Sequence, residues 1–342
     1  MAFDNLRLEK GMYRESGKTF SQVLEALDPS ENYRGTALEG SDAFQRQIKR
    51  FGIRLSGPNS DTVEKFFSTM DSAVLFPEYI SRTVRAGMMG EDLLSKIVAT
   101  RSVIDAMDYR SIYTAAEEKD LELSEVAEGA EIPTTEIRTK DHLINLHKRG
   151  RMLVASYEAV RFQKLDLFAV TLRQIGAAIQ KTLLRDAIDV LVSGDGNDNA
   201  AKVFTIGSDP ISGTAGKLSY NALLDFWGQF DPYTMNTMIL PTSVTTAMLQ
   251  LPEFQNPLAG QNFQGTGSMI TPLGAQIVRT DVAPAGSIIG LDASCALEMV
   301  QAGEVSVEYD KLIDRQLERA AITTLAGFSK IFDGASNVLE IG

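Results

Sequence analysis

The sequence predicts an α+β fold, with helices and sheets segregated along the chain. Three observations carry this expectation. An apolar stripe at helical spacing runs unbroken from Leu165 to Leu191. Ahead of it, an acidic stretch and a basic one flank a turn-rich centre, the pattern of a long hairpin. After Leu218, short apolar runs alternate with helical patterns, and residues 304–333 carry the alternation of strands.

Residues 1–73 read as a polar arm. Up to Asp71 there are 10 Lys and Arg against 11 Asp and Glu, and Gly35, Gly40, Gly52, Gly57 and Pro58 interrupt the pattern. A short helix is expected around Phe44 and Ile48, which stand four apart. The arm is expected to have no core of its own. Residues 74–115 lead into the body: residues 74–80 are apolar around Pro77, a helix is expected to follow, and residues 103–113 have the mixed pattern of a strand.

Residues 116–155 are read as the hairpin. Residues 117–131 hold seven acidic side chains and one lysine, whereas residues 138–151 hold five basic ones and one aspartate. Opposite charges facing across a strand pair contribute about 0.2–1 kcal/mol each. A hairpin with so little core is marginal alone and needs a surface to lie on. Residues 156–215 contain the long helix. Leu165, Phe168, Leu172, Ile175, Ile179, Leu183, Ala187 and Leu191 form its buried stripe, Ser156 is a plausible N-cap and Gly194 the stop. From residue 167 to 193 such a helix is roughly 40 Å long. Residues 216–300 read as an α/β unit, with a long loop over residues 251–267, and residues 301–342 as closing strands.

Composition excludes several function classes. The net charge is −12, with Lys and Arg spread rather than clustered, which disfavours tight sequence-independent binding to nucleic acid. Cys295 is the single cysteine, so no intrachain disulfide exists and a buried, inert thiol is expected. The first twenty residues lack the apolar region of a signal peptide, and no run of 18 apolar residues predicts a membrane span. The expected place of synthesis is the cytosol.

A search for catalytic chemistry returns nothing specific. His142 and His147 are five apart and fall on opposite faces of a strand, which separates them as metal ligands. Asp195, Asn197 and Asn199 imitate the start of an EF-hand loop, but Ala200 and Ile206 stand where glycine and glutamate are required. Gly265 and Gly267 lack the strand and third glycine of a nucleotide loop. Trp227 and the other aromatics fall at core-like spacings. No catalytic residue, metal ligand or cofactor is assigned, and the chain is expected not to be an enzyme.

The order of parts resembles that of the major capsid proteins of tailed double-stranded-DNA bacteriophages, with the Hong Kong 97-type fold. The stretch at 74–80 (VLFPEYI) resembles that family's entry to the body. Residues 128–137 (EGAEIPTTEI) and 148–160 (KRGRMLVASYEAV) resemble the tip and return of its extended loop. Residues 172–196 resemble its spine helix and stop, 238–251 a strand and helix of its axial domain, and 273–292 the strand pair that follows. The resemblance covers residues 74–335.

It implies a virion structural protein assembled in the host bacterial cytoplasm. Such a protein self-associates into the hexamers and pentamers of an icosahedral shell around double-stranded DNA that it encloses without specific binding. A scaffolding protein, a portal and decoration proteins are implied partners, and no membrane. The extended loop would contact a neighbouring copy through Glu128, Gly129, Glu131, Ile132, Pro133, Arg138, Lys140, Arg149 and Arg151. The arm would do so through Phe44, Ile48, Phe66 and Phe67, and Glu253, Phe254, Asn256, Asn262 and Phe263 would face the capsomer axis. Roughly 70 residues precede the recognisable body, which favours an unprocessed arm and a separate scaffolding protein. No motif marks Lys119, Lys140 or Lys148 as a cross-linking site. The alternatives are an encapsulin-type nanocompartment shell, which shares the fold, and a soluble α+β enzyme.

Overall fold

The computed structural model describes residues 2–14, 18–90, 92–105, 108–114, 125–126, 137–255, 270–303 and 305–342. The chain forms two compact units. Unit 1 holds Met1–Glu91, Arg149–Ile179 and Glu304–Thr324, and unit 2 holds Asp92–Lys148, Gln180–Gly303 and Leu325–Gly342.

Unit 1 is built on helix α3, Met70–Met89. Thr69 caps it: its hydroxyl accepts from the Ser72 amide at 3.0 Å. Pro77 lies inside this helix rather than ahead of it, which corrects the expected entry. Leu75, Phe76, Tyr79, Ile80 and Val84 are buried from it. That burial outweighs the roughly 3 kcal/mol that an internal proline costs. The disrupted ladder is repaired from outside: the Tyr13 hydroxyl receives the Glu78 amide at 3.1 Å and donates to the Val74 carbonyl at 2.8 Å.

The expected coreless arm is corrected by the same unit. Helices α1 (Phe20–Leu27) and α2 (Ala43–Arg50) both carry complete capping boxes, through Thr19 with Gln22 and Asp42 with Gln45. Leu8, Phe20, Leu24, Phe44, Ile48, Ile53, Val63 and Phe66 share one hydrophobic core with α3, Leu165, Leu172 and Ile175. Regular spacing in so short a segment is hard to see, because each element contributes only two or three apolar residues.

Helix α5 runs Leu165–Ser193, after a short helix α4, Tyr157–Phe162. Its expected stripe is inward: Leu165, Leu172, Ile175, Leu183, Ala187 and Leu191 are buried. Gly194, at φ +86°, ends it in the left-handed conformation that favours glycine. In unit 1, strands β4 (His147–Ser156) and β10 (Ser306–Leu312) pair with β11 (Leu317–Lys330).

In unit 2, β1 (Thr100–Ile104) pairs in parallel with β9 (Leu297–Ala302), and β9 pairs antiparallel with the end of β11. A second sheet has the order β5-β12-β8-β6-β7, with β5 Lys202–Thr205, β6 Thr237–Leu240, β7 Gln276–Arg279, β8 Ser287–Leu291 and β12 Ser336–Glu340. Helices α6 (Tyr220–Trp227), α7 (Thr242–Leu249) and α8 (Pro252–Gln255) belong with it. Phe226, Phe230, Met238, Leu240, Ile277, Ile288 and Leu339 make its core. Trp227 is 45% exposed, against the expectation that it packs inward. Cys295 is half-buried, and burial, then the charge of Asp292, pushes its thiol pKa up.

Candidate functional site

The hairpin is present at its root. Strands β2 (Ile112–Thr114) and β3 (Ile137–Thr139) pair antiparallel, with Ile112 opposite Thr139 and Tyr113 opposite Arg138. Below them the Lys140 amide donates to the Ser111 carbonyl at 2.8 Å, and the Ile144 amide to the Tyr109 carbonyl at 2.9 Å. The acidic residues from 117 to 124 and from 128 to 131 lie outside the described residues. From residue 147 onward the basic stretch forms β4, which pairs with β11. Leu153 and Ala155 pack on the unit 1 core from β4. Apolar burial of that kind outweighs exposed charge pairs, which contribute about 0–1 kcal/mol.

Two buried carboxylates hold the root. Glu298 on β9 accepts from the hydroxyls of Ser102 (2.7 Å), Tyr109 (2.9 Å) and Ser111 (2.7 Å). Burial, then the Glu298 hydrogen bond, raises the Tyr109 pKa. Asp195, in the loop after α5, accepts from Ser329 Oγ at 2.7 Å, the Lys330 amide at 3.1 Å and Lys140 Nζ at 3.3 Å. Burial alone would raise its pKa. The bonds from Ser329 and Asn197, the Lys140 charge and Asn199 hold it down at about 2.

The expected contact residues separate into three groups. Arg138, Arg149, Arg151 and Glu253 are exposed. Glu128, Gly129, Glu131, Ile132, Pro133, Asn256, Asn262 and Phe263 lie outside the described residues. Lys140, Phe44, Ile48, Phe66 and Phe254 are buried within the chain, a correction to their assignment as contacts with a neighbour. Phe67 is half-buried at the edge of the same core. Lys140 is consumed by Asp195 and the Lys330 carbonyl, and Phe254 by the core of the second sheet. His142 and His147 are both exposed. Among the described residues, no group of three His, Cys, Asp or Glu side chains is arranged to hold a metal, and no helix is long and apolar enough to cross a membrane.

The structure exposes apolar side chains that the sequence reading passed over. Met152 and Val154 point outward from β4, and Phe162, Leu167 and Val170 are exposed at the start of α5 and just before it. Leu167 and Val170, three apart, share a helix face. The signal was present in both places: β4 is apolar at four consecutive positions, and Leu167 and Val170 fall off the inward stripe.

Residues 139–327, more than half of the chain, match the family model described as phage capsid protein. The chain belongs to this phage capsid protein family. Among solved structures, the capsid of a native GTA particle is 14% identical, with a TM-score of 0.53 over 76% of this chain and 90% of that one. A structure from Microbacterium phage Oxtober96 is 10% identical, with a TM-score of 0.50 over 73% and 91%. At such identities the likeness shows the fold, which is the Hong Kong 97-type capsid fold. No curated protein matches in sequence. The capsid protein is thus a structural shell component of a virion. Its match begins at the end of β3 and stops within β11, short of β12.

Proposed function

We propose that the chain is the major capsid subunit, which closes with copies of itself into hexamers and pentamers of an icosahedral shell around phage double-stranded DNA. The observation that carries this is the family match over residues 139–327, joined to a hairpin rooted between β2 and β3. A hairpin of this length gains stability by lying on a second copy, and closed symmetry satisfies every copy alike. Residues 116–155 then act as the extended loop, 216–300 as the axial domain with Glu253, Asn256, Asn262 and Phe263 toward the capsomer axis, and Arg138, Arg149 and Arg151 as contacts. A scaffolding protein, a portal and decoration proteins are proposed partners, and the host cytoplasm the place of assembly. The acidic charge fits a container that encloses DNA without gripping it. The chain acts without catalysis in this reading. Electron microscopy of the purified protein, alone and with scaffold, tests it: closed particles are expected, and only monomers under every condition would refute it.

A further inference from the structure

Glu298 and Asp195 share an unusual setting. Glu298 is 5% exposed, and among the described residues its three hydrogen-bond partners are all hydroxyls. Two of these, Tyr109 and Ser111, belong to the outgoing leg of the hairpin. Asp195 holds the returning leg through Lys140, whose ammonium also donates to the Lys330 carbonyl. The two carboxylates meet at one rung of the sheet: Ser329, which donates to Asp195, is the register partner of Glu298 across β9 and β11.

Stability alone does not call for this arrangement. Apolar side chains of similar size fill such sites as well or better, whereas buried, hydrogen-bonded charge fixes register. An apolar leg slides; a carboxylate with three directed donors permits one position. We propose that Glu298 and Asp195 are positioning residues for assembly. Each fixes one leg of the hairpin at the same β9–β11 rung, and together they set the register in which the hairpin meets a second copy of this chain. The proposal rests on the hairpin being an inter-subunit element.

The test uses the full chain. Tyr109→Phe with Ser111→Ala releases the outgoing leg and leaves Glu298 its Ser102 bond. Lys140→Met releases the returning leg and leaves Asp195 its bonds from Ser329 and the Lys330 amide. Ser111→Thr keeps the hydroxyl and serves as the conservative rescue. Hydrogen exchange on the unassembled subunit and electron microscopy after assembly are the readouts. The releasing variants are expected to stay folded, to exchange at least ~10-fold faster at residues 109–114 and 137–144, and to give open or irregular particles. Ser111→Thr is expected to behave as the parent chain. Normal shells at parental yield from the releasing variants, unchanged exchange at the legs, or global unfolding of the variants would each overturn the proposal. A parent chain that forms no shells would overturn it through the hairpin reading, and is told apart because the legs would still be protected from exchange.

Discussion

Arg46 has no exposed surface, and its guanidinium is held by partners from the N-terminal segment. Its guanidinium meets the Asp28 carboxylate at 2.6 Å, the Ser30 hydroxyl at 3.0 Å and the Ser41 carbonyl at 2.5 Å, and lies 4.3 Å over the Tyr33 ring. Arg46→Ala leaves Asp28 buried without its cation and is expected to destabilise unit 1 by about 3–5 kcal/mol in denaturant unfolding. Tyr13→Phe strands the Val74 carbonyl and Glu78 amide beside Pro77, a loss of about 1–3 kcal/mol in the same measurement. Lys330 and Asp195 predict how stability follows pH. Burial pushes the Lys330 ammonium down to about 8, against the pull of Asp333 and Asp195. The unfolded chain holds that proton more firmly, so stability rises from about pH 8 to 10.5. Asp195, held at about 2, contributes stability above pH 3.8 that is lost as pH falls toward 2. Thermal midpoints across pH should show both limbs, and Lys330→Met should flatten the alkaline one alone.

Helices α3 and α5 touch backbone to backbone. A Cβ on Gly176 would lie 2.1 Å from the Val84 carbonyl oxygen, and one on Gly87 would lie 2.2 Å from that of Arg173. Gly176→Ala is therefore expected to separate the helices and cost about 1–3 kcal/mol, read as a lower denaturation midpoint of a still helical protein. The stripe of α5 was legible because eight apolar residues repeat the same spacing, and the stop because Gly194 follows it. The crossing was not legible, since a glycine within a helical pattern looks the same whether it faces solvent or another helix. Helix α3 was hidden behind Pro77, whose local cost is set against burial that only the tertiary fold reveals. The pairing of β4 with β11 was not legible for the same reason: the charges of β4 were visible in sequence, and the core under Leu153 and Ala155 was not.

At the scale of the whole molecule, the N-terminal segment changes from a wrapping arm to part of a core. Deleting residues 1–60 removes Leu8, Phe20, Leu24, Phe44, Ile48 and Ile53 from unit 1. Each buried side chain is worth about 1.5–3 kcal/mol, and the sum rivals the whole net stability of a domain. The truncated chain is expected to be insoluble or to lose its circular dichroism signal, not to survive as a folded subunit. The candidate contacts that remain are on surfaces: Arg149 and Arg151 with the outward Met152 and Val154. Reversing both arginines to glutamate should reduce assembly while moving the subunit's melting midpoint little, because exposed charges contribute about 0–1 kcal/mol within one copy. Identity as a capsid protein was legible in the order of the parts, whereas the buried contact residues were not, since sequence spacing does not distinguish a neighbour's surface from the chain's own core. Electron microscopy of the purified full-length protein tests the central claim most directly. Closed icosahedral shells of uniform size are expected, alone or with a scaffolding partner. A preparation that stays monomeric and well folded across salt, concentration and scaffold conditions would contradict it.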